Sequence, residues 1–418
     1  MPNVVAGVTS EHRRLSPAFR LYWTARTVSL TGDGLVNVAL VFAVVELGGS
    51  AADIGTVLGV SVVARVALML VGGVLADRLP RRRMLLVSEL VQAAVQFAVG
   101  FLLLVGAARM WMLLAASLVY GAASALSRPA LTGIVPDIVG TGGADALRRA
   151  NAMLGVSQSA SRVAGPLIAG VLVAVAGPGW VYAIDGATFL VSAVLLALVR
   201  LPPTRTGNRG LGSLRTDLAV GWREVRSRRW YMTGLLVQSA YNLVTAPLYV
   251  LGPLLVGGAS AWGTVSAAGA VGAVAGAVLA TRWTPGRPLT AGFLLMVLGA
   301  APLLALAAGA GTAVVGAAAG LGMVSAAYVN TVWVTTVQGL IPRDKLSRVS
   351  SYGLMSTLLT LSVGYALAGA LEEPLGAGNV LAGSAVLLVL VVVPGAFLPS
   401  VRTVGQPVSG SERAPRRG

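Results

Sequence analysis

Twelve runs of about twenty or more mainly apolar residues, parted by short polar turns, leave this chain few folds to choose from. They cover roughly residues 18–46, 52–76, 84–106, 110–135, 150–176, 180–200, 230–256, 261–281, 289–309, 312–339, 348–371 and 378–400. About twenty helical residues span the ~30 Å hydrocarbon layer of a bilayer. Backbone in lipid must satisfy its own hydrogen bonds, so each run is expected to be a helix. Soluble domains carry about 25% charged residues, whereas here 11% are charged and the mean hydropathy is +0.81. The expected fold class is an all-α membrane protein of twelve transmembrane helices.

The basic residues are not spread evenly. Of 31, all but five fall at alternate connections or at the termini, among them Arg13, Arg78, Arg148, Arg200, Arg282, Arg343 and Arg402. The opposite connections carry Arg109 beside Glu46, Asp53, Glu372 and Glu373. By the positive-inside rule both termini are cytoplasmic, which an even number of spans requires. A net charge of +16 could suggest nucleic acid, but clusters between apolar runs do not form a basic face, so no nucleic-acid partner is expected. The longest connection divides the spans six and six. The expected organisation is a cytoplasmic segment 1–17, a half 18–200, a linker 201–229, a second half 230–401 and a disordered tail 402–418. Within the linker, Leu214, Leu218, Trp222 and Val225 would form the apolar side of an in-plane helix.

The halves echo one another. Ala164-Gly165-Pro166-Leu167-Ile168-Ala169-Gly170 in span 5 is matched by Val363-Gly364-Tyr365-Ala366-Leu367-Ala368-Gly369 in span 11. Val135-Pro136-Asp137 is matched by Ile341-Pro342-Arg343-Asp344, and Gly72 through Arg78 has a decayed counterpart in Gly276 through Arg282. A six-span unit repeated in one orientation implies a two-fold pseudo-axis along the membrane normal, with a cavity between halves.

At this level the chain resembles the major facilitator superfamily. Gly73, Asp77, Arg78, Arg82 and Arg83 are similar to its loop signature between spans 2 and 3, and Pro80-Arg81 departs from it. Gly165, Pro166 and Gly170 resemble the antiporter signature of span 5, with Ser161 and Ala169 in place of small glycines. Ser127-Arg128-Pro129-Ala130, Arg149-Ala150-Asn151-Ala152 and Ala183-Ile184-Asp185-Gly186 resemble the drug:proton antiporters that include macrolide and enterobactin exporters. The resemblance implies alternating access, with Asp77 and the following arginines as a gate and Gly165-Pro166 as a hinge or close-packing seam.

Charges inside spans are functional hypotheses by default. Asp33 lies about 20 Å into span 1 at 1.5 Å per residue, between Gly32 and Gly34. It is read as a proton-binding group or as one half of an ion pair, with Arg26 on the same face as a strained candidate partner. Arg128 on span 4 is a further proton-coupling candidate by resemblance. Arg65, Glu89, Arg162 and Asp185 must pair or line water, and Glu89, Gln92 and Gln96 form a polar strip on span 3. As the fold implies, spans 1, 4, 7 and 10 would line the cavity, through Asn37, Tyr120, Ser124, Gln238, Tyr241, Asn242, Tyr328, Asn330 and Trp333.

Cysteine is absent and the single histidine, His12, is terminal, so no metal, cofactor or thiol chemistry is expected. A Walker loop is also missing, which argues against ATP drive. The sequence therefore reads as a transporter and not an enzyme. The expected protein is a monomer in a bacterial plasma membrane that exports a small organic molecule against inward proton flow. A nutrient importer and a non-transporting membrane scaffold or sensor are the rivals.

Overall fold

The computed structural model describes residues 16–78, 80–139, 143–199, 221–402 and 404. Among these, twelve helices are long and apolar enough to cross a membrane, and no strand is present. Spans 1–6 are Pro17–Glu46, Ala51–Arg78, Arg81–Leu104, Met110–Val139, Gly143–Ala176 and Pro178–Leu198. Span 7 is broken into Arg229–Thr245 and Pro247–Leu255. Span 8 is Ala259–Arg282, and span 9 joins Pro288–Leu295 to Ala300–Ala307 through a 3-10 turn, Met296–Gly299. Spans 10–12 are Thr312–Leu340, Arg343–Leu375 and Ala377–Phe397.

Several helices outrun their apolar stretches. Span 5 begins at Gly143 and not near residue 150, and span 11 begins at Arg343 and not near residue 348. Apolar length measures the hydrocarbon layer, whereas a helix continues for as long as its hydrogen bonds do. Local chemistry sets other boundaries. Ser16 accepts the Phe19 N–H at 3.1 Å to cap span 1. Ser50 and Asp53 cap each other's backbone N–H groups, at 2.8 and 3.3 Å, to start span 2. Pro247 removes an N–H that the Leu243 carbonyl would accept, and span 7 breaks there.

The end opposite the termini is nearly loopless. All six connections there turn through a glycine in the left-handed region, for example Gly177 (φ 84°) and Gly376 (φ 78°). A Cβ is disfavoured in this conformation, so glycine permits turns this tight.

Packing repeats between halves. Spans 1·5, 1·6, 2·4 and 3·6 pack in the first half, and 7·11, 7·12, 8·10 and 9·12 pack in the second. The halves meet along two seams, span 5 on span 8 and span 2 on span 11. Gly170 lies against Ala259 and Gly263 of span 8, and Gly369 lies against Ala51 and Ala52 of span 2. Gly165 abuts Gly34 of span 1, and Gly364 abuts Leu243 and Ala246 of span 7. The two sequence echoes therefore occupy equivalent places, as the repeat predicts.

These seam contacts sit toward the end opposite the termini. Nearer the terminal end, Gly155 of span 5 has nothing within 4 Å of where a Cβ would be. Its neighbours Asn151, Ala152, Val156, Gln158 and Ser159 are exposed. The described seam contacts thus lie at the loopless end, and span 5 is uncovered nearer the termini.

Residues 221–227 are helical and dock on the second half. Val225 is buried, and the Trp222 ring stands 5.6 Å from that of Tyr352. Glu224 bridges Arg228 and Lys345 at 2.5 and 2.9 Å. Residues 1–15, 200–220 and 405–418 lie outside the described residues, and with them most of the expected in-plane helix and tail.

Candidate functional site

Two polar regions stand out, one in each half. The first surrounds Asp33 near the middle of span 1. The Tyr120 hydroxyl of span 4 donates to Asp33 Oδ1. Behind it lies Asp185 of span 6, fully buried, which accepts a hydrogen bond from Gln96 Nε2 of span 3. Thr188 Oγ1 donates to the Asp185 carbonyl at 2.8 Å. Asp185 Oδ1 and Thr188 Oγ1 fill the space that a side chain on Gly32 would need. Gly32 thus lets a second carboxyl approach span 1 beside Asp33.

Glu89 of span 3 completes the group. It is 4% exposed and lies beside the Ser192 and Ser29 hydroxyls. Arg26 and Asp33 both lie within electrostatic reach of Glu89. Three carboxyl groups on three helices therefore share a low-dielectric interior with Arg26, whose Nη1 donates to Ser29 at 3.3 Å.

Of the residues singled out on span 1, Asp33 is half-buried and Asn37 is exposed. Arg26 lies nearer in role to Glu89 than to Asp33, since the Asp33 hydrogen bond is to Tyr120. Ser124 is half-buried one turn from Tyr120, and its carbonyl accepts from Ser127 at 3.0 Å. Asp185 and Gln96 were legible as intramembrane polar groups but not as partners. Only the relative rotation of spans 3 and 6 brings them together.

The second region is a cavity of about 340 Å³ in the other half, between spans 7, 10 and 11 and near the terminal end. Gln238, Asn330 and Trp333 line it together with Tyr231, Gln338 and Thr357. Among the described residues, none that lines it is charged. Trp333 lies over Gly234, with its ring centroid 5.0 Å from that of Tyr231. Gln238 Nε2 is buried and donates to nothing.

Tyr241 and Tyr328 are not among the residues that line this cavity. Tyr241 packs against Gly299 in the 3-10 turn of span 9. Tyr328 is fully buried, and its hydroxyl donates to the Trp283 carbonyl at 3.3 Å. Both were placed on the right spans, but they sit on faces turned into the bundle. Asn242 is half-buried in the last turn before the break in span 7.

The motif residues divide. Gly73, Asp77 and Arg78 occupy the last turns of span 2, but the Asp77, Arg78 and Arg128 side chains lie outside the described residues. Arg82 donates to the Leu196 and Ala197 carbonyls, closing the end of span 6 in its own half. Arg83 is exposed. Gly165, Pro166 and Gly170 link span 1 to span 8: Gly165 touches Gly34, next to Asp33, while the Pro166 carbonyl and Gly170 touch Gly263.

The chain is 24% identical over 240 residues to macrolide efflux protein A of Streptococcus pyogenes, covering 57% of this chain and 58% of that protein. It is 29% identical over 188 residues to the enterobactin exporter EntS of Citrobacter koseri, covering 45% and 44%. The chain thus spans about half the length of each curated relative. Among solved structures, the nucleoside transporter NupG superposes with a TM-score of 0.77 at 11% identity, over 91% of this chain and 100% of that one. An inward-facing, unoccupied bacterial homologue of the lysosomal transporter Spinster gives 0.73 at 16% identity, over 93% and 98%. These likenesses show the fold. The family model described as Major Facilitator Superfamily matches residues 22–366, and the chain belongs to that superfamily of membrane transporters.

Proposed function

We propose that this protein is a secondary active exporter, which moves a small organic molecule out of a bacterial cell in exchange for protons. The observation that carries this reading is the Asp33–Tyr120 hydrogen bond, backed by Asp185 and Glu89 in the membrane interior. Both named relatives are exporters. On this reading the terminal end faces the cytoplasm, in line with its basic residues, and the described state is open inward.

The cycle follows from the geometry. In the inward-open state Asp33 gives up its proton, and the carboxylate is held by the Tyr120 hydroxyl. The substrate enters, and the halves close over it at the terminal end. The loopless end then opens, the substrate leaves and Asp33 takes a proton from outside. Gly34 adjoins Asp33 and rests on Gly165, while Gly170 rests on span 8. The proton site is thus one residue from the helix that forms a seam. A proton moving down 100 mV supplies about 2.3 kcal/mol. The chain works as a monomer and needs no cofactor.

The test is reconstitution in liposomes with an internal pH dye, an imposed proton gradient and a panel of lipophilic cations, macrolides and siderophores. Substrate-triggered proton movement, absent in Asp33→Asn, is the expected result. Export that persists in Asp33→Asn with an unchanged pH dependence refutes the coupling, and uptake driven by the gradient would reverse the direction.

A further inference from the structure

We infer that the cavity between spans 7, 10 and 11 is a substrate site for uncharged, flat, oxygen-bearing molecules, so that proton and substrate are held in different halves. This deepens the exporter reading and rests on it.

Four observations support the assignment. The cavity volume, about 340 Å³, falls at the lower end of ligand pockets, roughly 300–1,000 Å³. Among the described residues its lining includes no charged one, although Lys345 stands next to Leu346 at its edge. Lys345 is already paired with Glu224 at 2.9 Å, so the mouth offers a ligand no free cation from that side chain. A charged molecule entering here would lose hydration with no counter-charge from the described lining residues to replace it, which is costly.

The aromatic wall gives the second criterion. Trp333 and Tyr231 line the cavity as a tilted pair packed on each other, 5.0 Å apart by centroid, with Trp230 braced 5.7 Å from Trp333. Trp333 is fixed by Gly234, and the Tyr231 hydroxyl is tied to the Val349 carbonyl at 2.9 Å. Rigid ring faces favour a flat ring stacked or edge-on. The third criterion comes from Gln238. Its Nε2 is a buried donor with no partner in the protein. Leaving a buried donor unmade destabilises a fold, so the group is explained if a ligand acceptor, a carbonyl or ether oxygen, completes it. Asn330 and Thr357 add further hydrogen-bonding groups around the same space.

The carboxyl cluster, by contrast, lies wholly on spans 1, 3, 4 and 6. A substrate bound on spans 7, 10 and 11 does not compete with the proton for one group. The two are exchanged through the seams.

The chain has no cysteine, so a Thr357→Cys variant reports on the cavity alone. The full chain in nanodiscs is labelled with N-ethylmaleimide in the presence of coumarin or flavone as neutral probes. Tetraphenylphosphonium serves as the cation and salicylate as the anion. Saturable protection by the neutral probes and none by the ions is expected. Adding Gln238→Leu weakens that protection about 3- to 10-fold, the range of one neutral hydrogen bond. Adding Val334→Trp, which fills the cavity, abolishes it. A merely structural Gln238 would instead lower thermal stability and leave protection intact. The assignment is overturned if neither neutral probe protects, if tetraphenylphosphonium protects as well as they do, or if Gln238→Leu changes nothing. Asp33→Asn leaves protection unchanged on this assignment. Protection that stands while proton movement is insensitive to Asp33→Asn sinks the exporter mechanism and spares the site, and the reverse pattern spares the mechanism and sinks the site.

Discussion

Gly170→Ala should tip the molecule toward the state open at its loopless end. A Cβ on Gly170 would come within 2.6 Å of the Ala259 carbonyl oxygen and 3.0 Å of the Gly263 Cα, where ordinary contact begins at 3.4 Å. The shortfall is about 0.8 Å, and it is met by backbone on both sides, which cannot swing aside. Spans 5 and 8 must part by that amount. Overfilling a packed contact costs about 1–3 kcal/mol. The cost falls on the described state, in which this seam is closed, and is relieved once that end opens. A bias of this size shifts the two populations about 5- to 150-fold. Spin labels at Ala107→Cys and Ala308→Cys, one in each half at that end, read the shift as a longer distance in double electron–electron resonance. Gly155→Ala is the control, because a Cβ there meets nothing within 4 Å. It should leave the distances alone and add about 0.5–1 kcal/mol of helix stability. An unchanged distance distribution in Gly170→Ala, with unchanged thermal stability, would refute the seam argument.

Gly32→Ala should displace the Asp185 carboxyl and the Thr188 hydroxyl, which occupy the space its methyl needs, and transport should lose its proton dependence before it loses substrate binding. Gln238→Leu should raise the melting temperature in the absence of ligand, by removing an unmade donor worth about 1–3 kcal/mol, and a lower value would contradict the assignment. Glu224→Gln should loosen residues 221–227 and speed their amide exchange. Hydrogen bonds from Lys345 and Arg228 hold the Glu224 carboxyl below its ordinary value of 4.5. Its folded-state pKa is depressed, so this stabilisation is present at neutral pH and fades as the pH falls below 4.5 toward that lowered value. Wild type and variant should then converge in acid, and the proposal fails if they differ equally at all pH values.

How much of this was legible beforehand depends on what each residue answers to. Span existence follows from apolar length, which is local, and all twelve were readable. The repeat was readable because Gly165, Gly170, Gly364 and Gly369 each meet backbone, and only small residues can do so. Helix ends were less so: Gly143 and Arg343 start helices in polar sequence, where apolar length is silent. Rotation about a helix axis was the real gap. Tyr241 and Tyr328 lie on the right spans but face span 9 and Trp283, and Asp185 was seen as a buried charge without its Gln96 and Gly32 neighbours. Weak amphipathicity, inherent to helices apolar on nearly every side, removes the signal that would orient them. The Asp33 site was legible from cost alone, since a carboxyl at that depth needs a reason.

Span 11 has one further property. Leu354 lines the cavity, Gly364 bears on the break in span 7, and Gly369 rides on span 2. These points lie on one continuous helix, Arg343–Leu375, so cavity and seam are borne by a single rod. At 1.5 Å per residue Leu354 and Gly369 lie about 22 Å apart along it. Span 2 also meets the rod at Ser362 and Tyr365. An occupant that displaces the Leu354 end therefore loads a seam of backbone on backbone, where Gly369 has no room for even a methyl group.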